Sequence, residues 1–104
     1  MHKDFAPIKV AVLPLKRNHE EIVRVAKELT KDMQKSFACM YDDTGSIGKL
    51  YRRQDEIGTL WCVTVDFDTI ETDKCVTVRD RDTMEQVKVP LDNVKKYILD
   101  KLYD

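Results

Sequence analysis

Two histidines, three cysteines and three glycines are all that this chain of 104 residues holds of the residue types on which much catalytic and cofactor chemistry depends. His2 and His19 are the only imidazoles, one near the terminus and one at the start of a helical pattern, so a nucleophile–base–orienter triad has few candidates. Cys39, Cys62 and Cys75 are odd in number, lack the paired spacing of a zinc site, and lie in apolar or β-branched runs, which reads as buried reduced thiols. Glycine is too scarce for a phosphate-cradling loop or a dinucleotide fingerprint, and Gly45-Ser46-Ile47-Gly48 alone is neither. No stretch approaches the roughly 20 apolar residues of a membrane span. Met1-His2-Lys3-Asp4-Phe5 has no apolar signal region, which makes a cytoplasmic location the expectation. Excess charge of one sign is missing too: Lys+Arg 18 against Asp+Glu 19 leaves a net charge of -1, which excludes a clamp gripping phosphates indiscriminately.

What is present, 42% hydrophobic and 36% charged residues, suffices to close one core. Residues 1–104 read as a single domain with 1–6 as an N-terminal linker remnant, too small for a complete ATP-driven enzyme. Ile8 to Leu13 is a nearly continuous apolar run closed by Pro14, the pattern of a central strand buried on both faces. Asn18 offers a helix cap with Glu21 three residues on, and Ile22, Ala26, Leu29 and Met33 follow at helical spacing. A strand over 37–41 comes next. Gly45 and Ser46 then lead into a helix from Ile47 to Ile57, stopped by Gly58. On that helix Ile47, Leu50, Tyr51 and Ile57 share a side, with Gln54 in their midst and Lys49, Arg52, Arg53, Asp55 and Glu56 opposite. Leu60 to Phe67 alternates as a strand, Cys75 to Arg79 and Met84 to Val89 form a hairpin around Asp80-Arg81-Asp82-Thr83, and Leu91, Val94, Ile98 and Leu102 mark a last helix capped by Asp92 or Asn93. This order predicts an α/β fold, a mixed sheet with helices on both faces, the first three strands parallel and the fourth antiparallel.

Chemistry in such a sheet gathers beyond the carboxyl ends of its parallel strands. The segments expected there are Pro14 to Asn18, Asp42 to Ser46, and Asp66-Phe67-Asp68. Turn formation and capping account for those aspartates; magnesium ligation by Asp42, Asp43 and Asp66 is the alternative. Arg52-Arg53-Gln54-Asp55-Glu56 reads as a solvated face with pairs such as Arg52 with Glu56, except that Gln54 demands buried partners. Arg79-Asp80-Arg81-Asp82 can pair within itself around the hairpin.

Taken together, these segments resemble a known family. Ala6 to Leu15, Tyr41 to Thr59 with its Arg52-Arg53-Gln54-Asp55-Glu56-Ile57-Gly58 core, Val63 to Thr69, and Val78 to Val87 with Arg79-Asp80-Arg81-Asp82 resemble the C-terminal anticodon-binding domain of dimeric glycyl-tRNA synthetases. The likeness runs over nearly the whole chain. It implies a three-layer α/β/α domain of the class IIa anticodon-binding type, with a five-stranded mixed sheet in the order 2-1-3-4-5. It implies a glycine tRNA anticodon loop as partner, beside the catalytic domain of a parent synthetase that holds ATP and Mg²⁺; no cofactor and no catalytic residue is expected within this chain. Dimerisation in the family rests mainly on the catalytic domain, so a monomer is expected. Relatives commonly place proline after the pair equivalent to Gly58-Thr59, where Leu60 stands here, which loosens the lead into the third strand.

The resemblance gives mixed charge a purpose. Glycine anticodons end in two cytosines, and a cytosine edge presents an amino donor beside carbonyl and ring-nitrogen acceptors, so its reader needs carboxylates and guanidiniums together. The expected base readers are drawn from Arg52, Asp55, Glu56, Arg79, Arg81 and Asp82. Lys49 and Arg53 are expected on phosphates, with Thr44, Gly45 and Ser46 offering backbone donors to phosphate or ribose at a helix N-terminus. An accessory protein that kept the fold for protein contacts is the alternative function.

Overall fold

The computed structural model describes residues 9–102. Its elements are β1 (Val10–Pro14), α1 (Glu20–Gln34), β2 (Cys39–Tyr41), α2 (Ile47–Ile57), β3 (Trp61–Val65), α3 (Phe67–Glu71), β4 (Cys75–Asp80), β5 (Gln86–Pro90), one 3₁₀ turn (Leu91–Asn93) and α4 (Val94–Leu102). The sheet order is β2-β1-β3-β4-β5. β1 runs parallel to β2 and β3, and β4 is antiparallel to both its neighbours. The order and directions are those expected. The proposed linker over 1–6, His2 and the expected first strand residue Ile8 lie outside the described residues.

The two faces of the sheet are unequally covered. α1 and α4 press onto one face, where Val10, Val12, Val63, Val65, Val76, Val78 and Val89 meet Ile22, Met33, Val94 and Ile98 in one large apolar cluster, with Ile70 of α3 packed at its margin. α2 lies on the other face over a small cluster, Ala11, Leu13, Leu50 and Cys62. The alternation of β3 produces this division, sending Trp61, Val63 and Val65 to one side and Cys62 to the other. On β4, Val76 and Val78 face the large cluster, which leaves Thr77 and Arg79 on the α2 side; Lys88 and Gln86 of β5 stand opposite them in register. That half of the α2 face meets no apolar cluster. A face without apolar cover is where a polar ligand can lie.

Several boundaries differ from the sequence reading: β4 runs one residue longer, to Asp80, and β5 begins at Gln86 rather than Met84 and ends at Pro90. α1 is capped by His19, whose Nδ1 accepts from the Ile22 amide at 3.4 Å, one residue later than Asn18. β2 begins at Cys39 because Phe37 turns into the large cluster. β3 ends at Val65 since Asp66 starts a helix: its carboxylate accepts the Thr69 amide while the Thr69 hydroxyl accepts the Asp66 amide, a reciprocal capping box. The expected cap at Asp92 or Asn93 is replaced by the 3₁₀ turn that runs straight into α4. Cys39 and Cys62 are buried free thiols and burial pushes both to about 12, but Cys75 is only half-buried, contrary to expectation.

Candidate nucleic-acid interface

The seat of α2 decides where its charged side chains point. Gln54 is completely buried beneath it; its Nε2 donates to Asp42 Oδ2 at 3.0 Å, and its Oε1 accepts from the buried Thr59 hydroxyl at 2.6 Å. This network pins the helix to the end of β2 and supplies the partners that an amide on an apolar side requires. The other Asp42 oxygen accepts from the Thr44 amide at 3.1 Å and hydroxyl at 2.8 Å, and Arg53 Nε stands 3.7 Å from Oδ2. Burial pushes the Asp42 carboxyl upward, yet the Thr44 hydroxyl and amide, Gln54 and Arg53 together outweigh it and hold the group below its ordinary value. Asp43 accepts from the Tyr41 hydroxyl at 3.0 Å, and Asp66 is engaged in its capping box. All three aspartates considered for magnesium accept hydrogen bonds from the protein itself, Asp42 in its turn, Asp43 from Tyr41 and Asp66 as a cap, and among the described residues no three His, Cys, Asp or Glu side chains gather into a metal site.

The candidate residues separate into two groups on α2. The first lies on the flank toward β4. Arg79 reaches across from β4 to place Nη1 3.3 Å from both oxygens of Asp55, and its guanidinium stands over the Tyr51 ring at 4.8 Å. Tyr51 is itself anchored by a hydrogen bond between its hydroxyl and that of Thr64 on β3. Asp55 and Tyr51 belong on this flank because they are four residues apart, one helical turn. Arg81 follows across the Gly58 cap: Gly58 has φ of +84°, and a Cβ there would meet Arg81 Nη1 at 3.4 Å. Arg81 also pairs with Asp82 at 3.3 Å. Arg52 and Glu56 are exposed, and the pair expected between them is not among the ion pairs of α2, which run to Asp42 and Arg79 instead. The Arg79-to-Asp82 run closes on itself only in part: Arg81 pairs with Asp82, but Arg79 goes to Asp55, and Asp80 accepts the amides of Asp82 and Thr83 to shape the hairpin.

The second group lies at the start of α2. Ser46 is the N-cap but makes no side-chain cap, and no acidic residue occupies the first turn, so the amides of that turn have no side-chain acceptor. Lys49 lies against Gly45, and Arg53 donates from Nη1 to the Thr44 hydroxyl at 3.1 Å. Thr44, Gly45, Ser46, Lys49 and Arg53 therefore do form one neighbourhood, separate from the Asp55–Arg79 group.

Sequence reasoning missed Tyr51, Thr64 and Met84. Tyr51 and Thr64 were consistent with core positions, and nothing local betrays that they join across 13 residues. Met84 contacts Arg79 through Nη2 to Sδ at 3.4 Å; its one sequence signal is an apolar residue in an otherwise polar hairpin tip.

A glycine–tRNA ligase of Caldanaerobacter subterraneus is 52% identical over 102 residues, covering 98% of this chain and 21% of the relative. That of Corynebacterium efficiens is 51% identical over 102 residues, covering 98% and 22%. The chain spans about a fifth of the length of these relatives. In fold it matches a prolyl-tRNA synthetase of Cryptosporidium parvum, with a TM-score of 0.85 at 24% identity over 94% of this chain and 21% of that one. A family model described as an anticodon binding domain matches residues 9–101, and on that match the chain belongs to the anticodon-binding domain family.

Proposed function

We propose that this chain reads the anticodon of glycine tRNA as the recognition module of a glycine–tRNA ligase whose catalytic core, with glycine, ATP and Mg²⁺, lies in residues other than these. The observation that carries the reading is the Asp55–Arg79–Tyr51 arrangement beside the uncovered half of the sheet. It sets fixed guanidinium donors among carboxylate acceptors, the complement of a cytosine edge. The identity of about 50% with glycine–tRNA ligases supports the choice of amino acid. Arg52, Asp55, Glu56, Arg79, Arg81 and Asp82 are the base-reading set. Lys49, Arg53 and the turn Thr44-Gly45-Ser46 receive backbone phosphates, where free helix-terminal amides favour an anion. A module of this kind acts in the cytoplasm, as a monomer, and needs no cofactor of its own.

The test is titration of the chain with a glycine anticodon stem-loop and with one whose two cytosines are replaced, at low salt. The expected result is discrimination of ~1–3 kcal/mol per replaced base, abolished when Arg52, Asp55, Arg79 and Arg81 are changed together to alanine. Equal binding of the two stem-loops would favour an accessory protein that keeps the fold for protein contacts.

A further inference from the structure

Arg79 has five N–H donors, yet its side chain is only 11% exposed. Asp55 takes Nη1, Tyr51 covers one face of the plane, and Met84 takes Nη2 through its sulfur at 3.4 Å. The first two are strong, anchored partners. The third is a thioether, the weakest acceptor a side chain offers. Met84 is also costly to hold where it is: φ is +62°, in the left-handed region that favours glycine, and the side chain is 57% exposed, the most open of the large apolar residues described. Burial in the core does not explain a strained methionine half in water.

From this we infer that Met84 is a displaceable placeholder on the reading edge of Arg79. It shields the Nη2 donor in the free protein and swings aside when a carbonyl oxygen of a nucleobase takes that donor. The inference rests on the anticodon reading and deepens it, because it names the Nη2 edge of Arg79 as the point of contact and a pyrimidine carbonyl as the group received. An unbranched side chain with three rotatable bonds can leave without moving the hairpin backbone. A charge-assisted bond from guanidinium to carbonyl is stronger than the thioether contact it replaces.

Two manipulations test this on the 104-residue chain, both read as affinity for the glycine anticodon stem-loop. Met84→Gly suits the positive φ and uncovers Nη2, and is expected to tighten binding about two- to tenfold, the worth of one modest hydrogen bond. Hydrogen peroxide gives the opposite change: it transfers one oxygen atom to the sulfur, oxidising the thioether to a sulfoxide while the peroxide is reduced to water. The sulfoxide oxygen is a far better acceptor, so oxidised protein is expected to bind more weakly, and Met84→Leu is expected to abolish that sensitivity even though Met33 and Met40 remain. Unchanged or weakened binding by Met84→Gly, or peroxide insensitivity of the unsubstituted chain, would overturn the placeholder role. Failure of the unsubstituted chain to bind at all would instead overturn the anticodon reading, and this inference with it.

Discussion

Gln54 is the residue on which the position of α2 turns, because a single buried amide bonds both the end of β2 and the residue after the helix cap. Gln54→Glu keeps the shape and replaces the donor with a carboxylate facing the Asp42 carboxylate. Two like charges in contact without water raise the pKa of the pair. We expect a loss of about 3 kcal/mol or more near neutral pH, partly recovered in mild acid as the pair takes up a proton, seen as a drop in the urea midpoint relative to the native chain that is large near about pH 7 and smaller in mild acid. Asp42 in the native protein behaves in the reverse sense. Its folded-state pKa lies below the unfolded value, so its contribution is complete above the ordinary carboxylate range and is lost as pH falls through and below it. Urea titrations between about pH 6 and about pH 3 should show this decline in the native chain and a shallower one in Asp42→Asn. In sequence, Gln54 announced its need for partners, since an amide among apolar positions is legible as an anomaly. Asp42 and Thr59 as those partners were not, because they lie 12 and 5 residues away on other segments.

Among elements, α2 shows what local patterning can and cannot reveal. Its span from Ile47 to Ile57 and its stop at Gly58 match the sequence reading residue for residue, since amphipathic spacing ends on the one glycine that takes a positive φ. α3 was invisible. Five residues give no helical period, and Phe67 continues the strand alternation that Asp66 interrupts only through its side chain. The contact between Arg79 and Asp55 spans 24 residues, and without the sheet register neither residue identifies the other. Gly58 links element to site. Gly58→Ala is expected to cost about 1 kcal/mol or more for the positive φ, while its methyl would only touch Arg81 Nη1. The cost is therefore expected in stability rather than in recognition: discrimination between glycine and cytosine-replaced stem-loops should weaken by no more than the stability loss accounts for, measured by paired binding and unfolding curves.

At the scale of the whole molecule, the net charge of -1 bears on the proposed RNA binding. If Lys49, Arg53 and the start of α2 take two or three phosphates as proposed, log affinity should fall against log salt with a slope between about -1 and -2. A slope steeper than about -4 would mean a broad electrostatic grip and a different interface. The fold class and parallel-then-antiparallel order were legible from strand patterning and connection rules. Sheet order came from family resemblance, since hydrophobic periodicity does not say which strand lies beside which.

The unequal covering of the sheet has a consequence for how such a protein can change over evolutionary time. Among the described residues, sixteen buried apolar residues hold one face together, and four the other. Mutational cost is concentrated on the face covered by α1 and α4, while exposed positions such as Arg52, Glu56 and Gln86 contribute little to the core and can be exchanged at small expense in stability. A scaffold divided in this way can acquire a new recognition surface without renegotiating its own folding, with Gln54 and Gly58 as the two positions on the variable side that must stay fixed.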